Sequence, residues 1–277
     1  MQSQAFIHPS SIVEEGASIA ATAHIGPFCH IGKDAVIADG VKLVGHVTVM
    51  SATTIGEGCT VYPQVVLGGP PQNLSHKGGR TTLTIGRNCT IREFVTIHTG
   101  SDNARGATII GDNCTFLAYS HVAHDCTVGN NVTLTNGATL GGHCEIGNDV
   151  GIGGLSAVHQ FVRVGHNAFL AGGSMIVGDV IPYAIAMGNR AKLRGLNVVG
   201  LRRSGMSKPE IMTLRRAYQT IFDRSRPVSE NIEIARAQFA DSPAAMNIVN
   251  FISARGKRHY AVPPLKGAVD DDADDQG

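Results

Sequence analysis

The sequence predicts a mainly β fold: a parallel β-helix built from six-residue repeats, with a smaller helical domain at its C-terminal end. Three observations carry this. An aliphatic side chain recurs at every sixth position over long stretches, a spacing that suits neither an amphipathic helix nor one long strand. Glycine supplies 34 of 277 residues, tryptophan is absent and aromatics are only 5%, a composition suited to many tight corners around a narrow interior. After Pro182 the period fails and helix signals begin.

Stepping by six from Ile7 meets Val13, Ile19, Ile25, Ile31, Ile37, Leu43, Val49, Ile55, Val61 and Leu67. The series pauses, then resumes in phase at Ile85, Ile91 and Ile97. A second break shifts it by one residue. It then runs from Ile110 through Phe116, Val122, Val128, Leu134, Leu140, Ile146, Ile152, Val158, Val164 and Leu170 to Ile176. Each hexad reads as a short strand and a corner, with the aliphatic residue inward and glycine or polar residues turning the chain. One such turn cannot bury its own apolar face, whereas a stack of turns makes a continuous core.

The six cysteines, Cys29, Cys59, Cys89, Cys114, Cys126 and Cys144, each fall four residues after a repeat aliphatic. Alanine, threonine and valine share that slot, so the thiols read as small buried side chains in a reduced protein. Met1 to Ser10 lacks a basic region followed by an apolar run, and no stretch is long and apolar enough to span a membrane. A cytoplasmic location is expected. A formal charge of +1 gives no reason to expect nucleic acid as a partner.

Two segments leave the repeat. Gly68 to Thr84 is rich in glycine, proline and polar residues and is expected to project, carrying ligand contacts. Ser101 to Ala107 is a shorter excursion, for which a solvated insertion weighs more. Beyond the coils, Ser207-Lys208-Pro209-Glu210 supplies an N-cap, an early proline and an acidic first turn. Ile211, Leu214, Ala217, Ile221 and Phe222 follow at helical spacing. Asn231 to Phe239 and Ala244 to Ile252 read as further helices, and Asp270 to Gly277 as an acidic disordered tail. The expected division is a β-helix over 1–190 and a helical domain over 191–277.

The rare polar residues cluster in Phe116 to Glu145. In His121-Val122-Ala123-His124-Asp125-Cys126 the inward slots are Val122 and Cys126, so His124 is free to project. A neutral imidazole can take a proton from a hydroxyl, and a carboxylate can fix its tautomer. Strand neighbours point to opposite faces, so Asp125 can serve His124 only if a corner falls there. Gly142 stands eighteen residues past His124, one coil if a coil takes three hexads, and a glycine there can offer its N–H to an oxyanion. His98, His121, His124 and His143 also make a local cluster that could ligate zinc. Residue types alone leave general base and metal ligand both open.

The hexads resemble those of the hexapeptide-repeat proteins. That resemblance implies a left-handed helix of triangular coils and a homotrimer with ligands between subunits. More specifically, Ile7-His8-Pro9, Ile91 to His98, His121 to Gly129, Ala157-Val158-His159-Gln160-Phe161, and Gly188-Asn189 through Gly195-Leu196-Asn197 resemble the bacterial UDP-N-acetylglucosamine acyltransferases that begin lipid A synthesis. The likeness covers nearly the whole chain.

It implies transfer of an (R)-3-hydroxyacyl group from the phosphopantetheine of acyl carrier protein to the glucosamine 3-hydroxyl of a UDP-sugar, with no metal or other cofactor. His124 is then the general base, Asp125 its partner and the Gly142 amide the oxyanion donor. Sugar and nucleotide contacts fall on Asn73, His98, His121, His143, His159, Gln160, Asn197 and Arg203. Gly172 falls where side-chain size limits acyl length, and a glycine implies chains beyond ten carbons.

The family pattern often has Asp where Asn73 stands and Lys where Ser75 stands, with Lys77 able to compensate. It has Glu and Arg where Val199 and Ser204 stand. Asn73 keeps open a 3-amino sugar nucleotide as acceptor, with N-acylation in place of O-acylation. Arg163, Lys192, Arg194, Arg202 and Arg203 form a basic population near the last coils, for which a solvated face is the default reading and docking of the acidic carrier the functional one. Two other readings are a zinc hydratase of the gamma-type carbonic anhydrase branch and a non-catalytic scaffold.

Overall fold

A computed structural model describes residues 5–50, 52–254 and 256–265. The acidic end expected to be disordered lies outside the described residues. Two-residue strands dominate, and among the described residues they stack into three sheets of eleven, nine and eight strands, parallel but for the last strand of the first, that form the faces of a triangular prism. Away from the two excursions and the last coil, each strand pairs with the one eighteen residues on, as Phe6 with His24 and His121 with Thr139. A coil therefore takes three hexads.

The stacking buries the repeat. Every repeat aliphatic from Ile25 to Ile176 is at most 4% exposed, and each contributes about 2 kcal/mol relative to an exposed position. Ile7 is 41% exposed because one side of the first coil has nothing to stack on among the described residues. All six cysteines are buried and unpaired. Several thiols point at corner carbonyls of the next coil, as Cys126 Sγ does at Gly141 O, 3.2 Å away.

The register shows where chain has been inserted. Thr60 pairs with Thr90 and Thr90 with Thr115, departures from the eighteen-residue step that mark the two excursions. The strands flanking the first reach Gly69 and restart at Thr82, so the projecting loop is 70–81, shorter than 68–84. The second lies between His98 and the strand Ala107–Ile110.

A final strand, Lys192–Leu196, lies past the expected division at 190 and pairs antiparallel with Ala184–Met187 on the first face. Four helices follow among the described residues: α1 (Val198–Arg203), α2 (Lys208–Ile221), α3 (Val228–Gln238) and α4 (Pro243–Ser253). The Ser207 cap and Glu210 close a full capping box on α2, which buries Ile211, Leu214, Ala217 and Ile221. The third helix starts before Asn231, and α1 carries no signal that periodicity could read in six residues. Helix and coil residues share one apolar core. The joint is reinforced where Arg163 pairs with buried Asp179 at 2.7 Å and stacks on Phe251 of α4, 4.4 Å away.

Candidate active site

One edge of the prism, the corner leading from the second face to the third, collects the chemistry. Ascending it are Gly69, His98, His124, Gly142 and Gln160, one coil apart. Both excursions spring from this same edge, on the two coils before His124. Loops that sequence separates from His124 by twenty to fifty residues are therefore its neighbours.

The corner at His124 is the one its pairing with Asp125 requires. Asp125 adopts φ 59°, a left-handed conformation that costs a non-glycine residue about 1 kcal/mol and turns its side chain back toward its neighbour. His124 Nδ1 lies 2.8 Å from Asp125 Oδ2. The carboxylate is buried, and the second excursion donates to both of its oxygens. Oδ2 accepts from the Ser101 N–H and from the Ser101 hydroxyl, each at 3.0 Å. Oδ1 accepts from the Gly106 N–H at 3.0 Å. Burial pushes the Asp125 pKa up, but the hydrogen bonds from His124 and Ser101 outweigh it and hold the carboxyl below its ordinary value. Arg105 fastens this excursion by donating to the carbonyls of Asp125 and Cys126, both at 2.9 Å. Ser101, Arg105 and Gly106 are site residues that sequence reasoning missed. The turn-forming Ser-Asp-Asn was the available signal.

With Nδ1 bound to Asp125, the Nε2 edge of His124 is left to face Gly142. A β-carbon on Gly142 would stand 2.7 Å from that nitrogen. Gly142 is buried, and its N–H meets no acceptor among the described residues. His143 takes φ 62°, stands edge-on to His124 at 5.0 Å and stacks on Phe161 at 4.5 Å. Burial lowers its pKa, with Asp125 opposing and His124 reinforcing the shift.

On the other side, His98 is 8% exposed and its Nδ1 has no hydrogen-bond partner. Burial, aided by His121 and His124, lowers its pKa to about 4. His121 lies edge-on to His98 at 4.9 Å and bonds Thr96 Oγ1 through Nδ1 at 2.7 Å. Burial lowers its pKa as well. A cavity of about 550 Å³ opens beside the cluster, lined among others by Arg105, Asp125, His143, Phe161, Arg163 and Lys257.

Asn73 joins the cluster indirectly: its Nδ2 donates to Ser101 Oγ at 3.0 Å. Lys77 is exposed, and its backbone N–H donates to Asp102 at 3.0 Å, tying the two excursions together. His159 and Gln160 are exposed one coil above Gly142, where Arg258 meets His159 Nδ1 at 2.9 Å and the Gln160 carbonyl at 3.0 Å. Asn197 instead caps α1, accepting from Gly200 N–H at 3.0 Å and donating to Asn167 O at 3.1 Å. Arg203 is exposed in the last turn of that helix. Neither bonds the histidine cluster. Gly172 sits on a different edge, the corner between the first and second faces. Arg163 departs from the expected free basic population, since Asp179 and Phe251 hold it.

Among the described residues, His124, Asp125 and His143 bring candidate ligand atoms within 4.8 Å of one another; His98 and His121 do not join them. Asp125 Oδ2 already accepts three protein donors, His124 Nδ1 among them, and Oδ1 accepts one.

A prism of hexapeptide coils with a His–Asp pair beside an open glycine amide defines a hexapeptide-repeat transferase. Residues 107–142 match the model for bacterial transferase hexapeptides (six repeats), and residues 179–260 match the second domain of UDP-N-acetylglucosamine O-acyltransferases. The chain is 68% identical over 276 residues to the acyl-[acyl-carrier-protein]–UDP-N-acetylglucosamine O-acyltransferase of Mesorhizobium japonicum, covering 100% of this chain and 99% of the relative. The crystal structure of the Moraxella catarrhalis UDP-N-acetylglucosamine O-acyltransferase superposes with a TM-score of 0.89 at 38% identity, covering 92% of this chain and 99% of the other. The Francisella novicida UDP-N-acetylglucosamine acyltransferase gives 0.91 at 32%, covering 98% and 99%. The chain belongs to the UDP-N-acetylglucosamine O-acyltransferase family, and its prism is the left-handed parallel β-helix.

Proposed function

We propose that this protein transfers an (R)-3-hydroxyacyl chain from acyl carrier protein to the glucosamine 3-hydroxyl of UDP-N-acetylglucosamine, the opening step of lipid A synthesis. The observation that carries the chemistry is the tie of His124 Nδ1 to Asp125, which leaves Nε2 beside the unpaired Gly142 N–H. His124 takes the acceptor hydroxyl's proton as its oxygen attacks the thioester carbonyl. Asp125 holds the ring and stabilises the imidazolium. The Gly142 N–H receives the oxyanion. Collapse breaks the C–S bond, leaves an ester, and returns the proton from His124 to the phosphopantetheine thiol.

No metal or further cofactor belongs to this reading. Zinc requires ligand atoms free to approach to about 2 Å, and the Asp125 oxygens already accept four protein hydrogen bonds. The sugar meets His98, His121 and His143, with the unpartnered His98 Nδ1 satisfied by a substrate group. Asn73, Lys77, His159, Gln160, Asn197 and Arg203 complete the acceptor site, and Gly172 limits acyl length.

A homotrimer with sites between subunits fits the division of these residues over separate edges of one prism, which a neighbouring prism could unite. The exposed arginines of α1, Arg202 and Arg203, suit an acidic carrier. No helix among the described residues is long and apolar enough to cross a membrane, and water-soluble substrates go with a cytoplasmic location.

The test is turnover by metal-free protein of 3-hydroxyacyl carrier protein with UDP-N-acetylglucosamine and, separately, with its 3-amino analogue. Preferred ester formation that disappears in His124→Ala is the expected result. Turnover that requires added zinc would overturn the mechanism.

A further inference from the structure

The second excursion does more than fill space beside Asp125. Ser101 Oγ has one proton and two acceptors in reach: Asp125 Oδ2 at 3.0 Å and Asn103 Oδ1 at 2.9 Å. A third group decides between them. Asn73 Nδ2 donates to the same Oγ at 3.0 Å and also to Asn103 Oδ1 at 3.3 Å. The orientation of the Asn73 amide is fixed from behind, because its Oδ1 accepts the Ser75 N–H at 2.9 Å. The NH₂ end must therefore face Ser101.

We propose that Ser101 is a positioning residue for the Asp125–His124 pair, and that the Asn73 amide directs the Ser101 hydroxyl proton onto Asp125. Asn73 fills a lone pair of Oγ and partly satisfies Asn103. The buried carboxylate is then the stronger remaining acceptor, since hydrogen bonds to ionised groups exceed neutral ones. The oxygen that receives this proton is the one that receives His124 Nδ1–H. Three consecutive hydrogen bonds thus run from the projecting loop to the base: Asn73 to Ser101, Ser101 to Asp125, and His124 to Asp125. Ser101 is buried, so no water competes for its proton. An acid at position 73 would reverse the first link. Its carboxylate would accept the Ser101 proton and withdraw it from Asp125.

Where this concerns turnover it rests on the acyltransferase reading; where it concerns the hydrogen bond it does not. The full chain is prepared as wild type, Ser101→Ala, Ser101→Thr, Asn73→Asp and the Ser101→Ala/Asn73→Asp double variant. Each is assayed for kcat and KM. Each is also examined without substrate for the far-downfield proton resonance of the His124–Asp125 hydrogen bond, identified by its loss in His124→Gln. Removing the hydroxyl should lower kcat about tenfold with little change in donor KM, and should move the resonance, since Oδ2 becomes a better acceptor for His124. Threonine should restore both. Asn73→Asp should move the resonance in the same direction as Ser101→Ala and add nothing in the double variant.

A resonance unmoved in Ser101→Ala, or moved equally in alanine and threonine variants, overturns the assignment of Ser101. An undiminished Asn73→Asp effect in the double variant overturns the role of Asn73. If Ser101→Ala does not fold, threonine and Asn73→Asp decide: an unshifted resonance in Asn73→Asp rejects the relay. Absence of turnover in the wild type would refute the acyltransferase reading while leaving the resonance to decide this one.

Discussion

A β-carbon added to Gly142 would lie 2.7 Å from both Cε1 and Nε2 of His124, closer than side chains approach. Gly142→Ala must therefore displace the imidazole while keeping the backbone N–H. Turnover should fall by about 10²-fold, the scale of losing one well-aimed group. In a His124→Ala background, where the ring is gone, the added methyl should cost almost nothing. Equal losses in both backgrounds would show that Gly142 acts independently of the ring.

His124→Ala and Asp125→Asn should separate activity from stability. The His124 side chain is 12% exposed, and no described donor depends on its Nε2. Its removal should cost roughly 10²- to 10⁴-fold in rate with the melting temperature nearly unchanged. Asp125 accepts four hydrogen bonds in a fully buried position. An asparagine there must point its NH₂ at a protein donor, an unsatisfied contact worth about 1–3 kcal/mol. Asp125→Asn should therefore lose activity and melt several degrees lower. Paired melting and rate measurements check both, and an Asp125→Asn protein as stable as wild type would contradict the four-donor description.

Acid should weaken the fold through His98. In the unfolded chain this histidine takes up its proton near 6.5, whereas the folded protein resists until about 4. Between those values the unfolded state binds more protons, so stability is fully present above pH 6.5 and is lost as pH falls toward 4. His121 and His143, also lowered by burial, act in the same direction. Melting curves across this window should fall less steeply for His98→Gln than for wild type. Parallel curves would remove His98 from the account.

The periodic part of the molecule was legible because one physical constraint repeats. An aliphatic residue every six positions can be buried only by coils, and it dictated strand, corner and stack from Ile25 to Ile176. The same periodicity put His124 outward and Gly142 one coil above it. What the repeat did not encode was the path of the inserted chain. Ser101 and Gly106 reach Asp125 across some twenty residues because both excursions leave from its edge, and hydrogen bonds of that kind leave no period behind. Arg163 misled for a related reason: Asp179 lies one coil above it, and Phe251, which also holds it, belongs to a helix far along the chain. Charge alone made it look free. The capping of α1 by Asn197 was hidden as well, because it depends on a helix too short to announce itself.

Gly172 offers a test in which fold and specificity come apart. It is exposed, its φ lies outside the left-handed region, and a β-carbon there would meet only Gly154 O at 3.4 Å and Gly154 N at 3.8 Å. A larger side chain is thus accommodated without strain, unlike at Gly173 next to it, where φ is 69°. Gly172→Met should leave the melting temperature unchanged. If this corner faces the acyl chain, the methionine side chain, projecting several ångströms, should shorten the preferred chain by a few carbons, at roughly 0.8 kcal/mol for each methylene denied burial. Competition between carrier proteins bearing 3-hydroxyacyl chains of different lengths measures the preference directly. Unchanged selectivity in a stable Gly172→Met protein would move the length-limiting contact to another part of the surface.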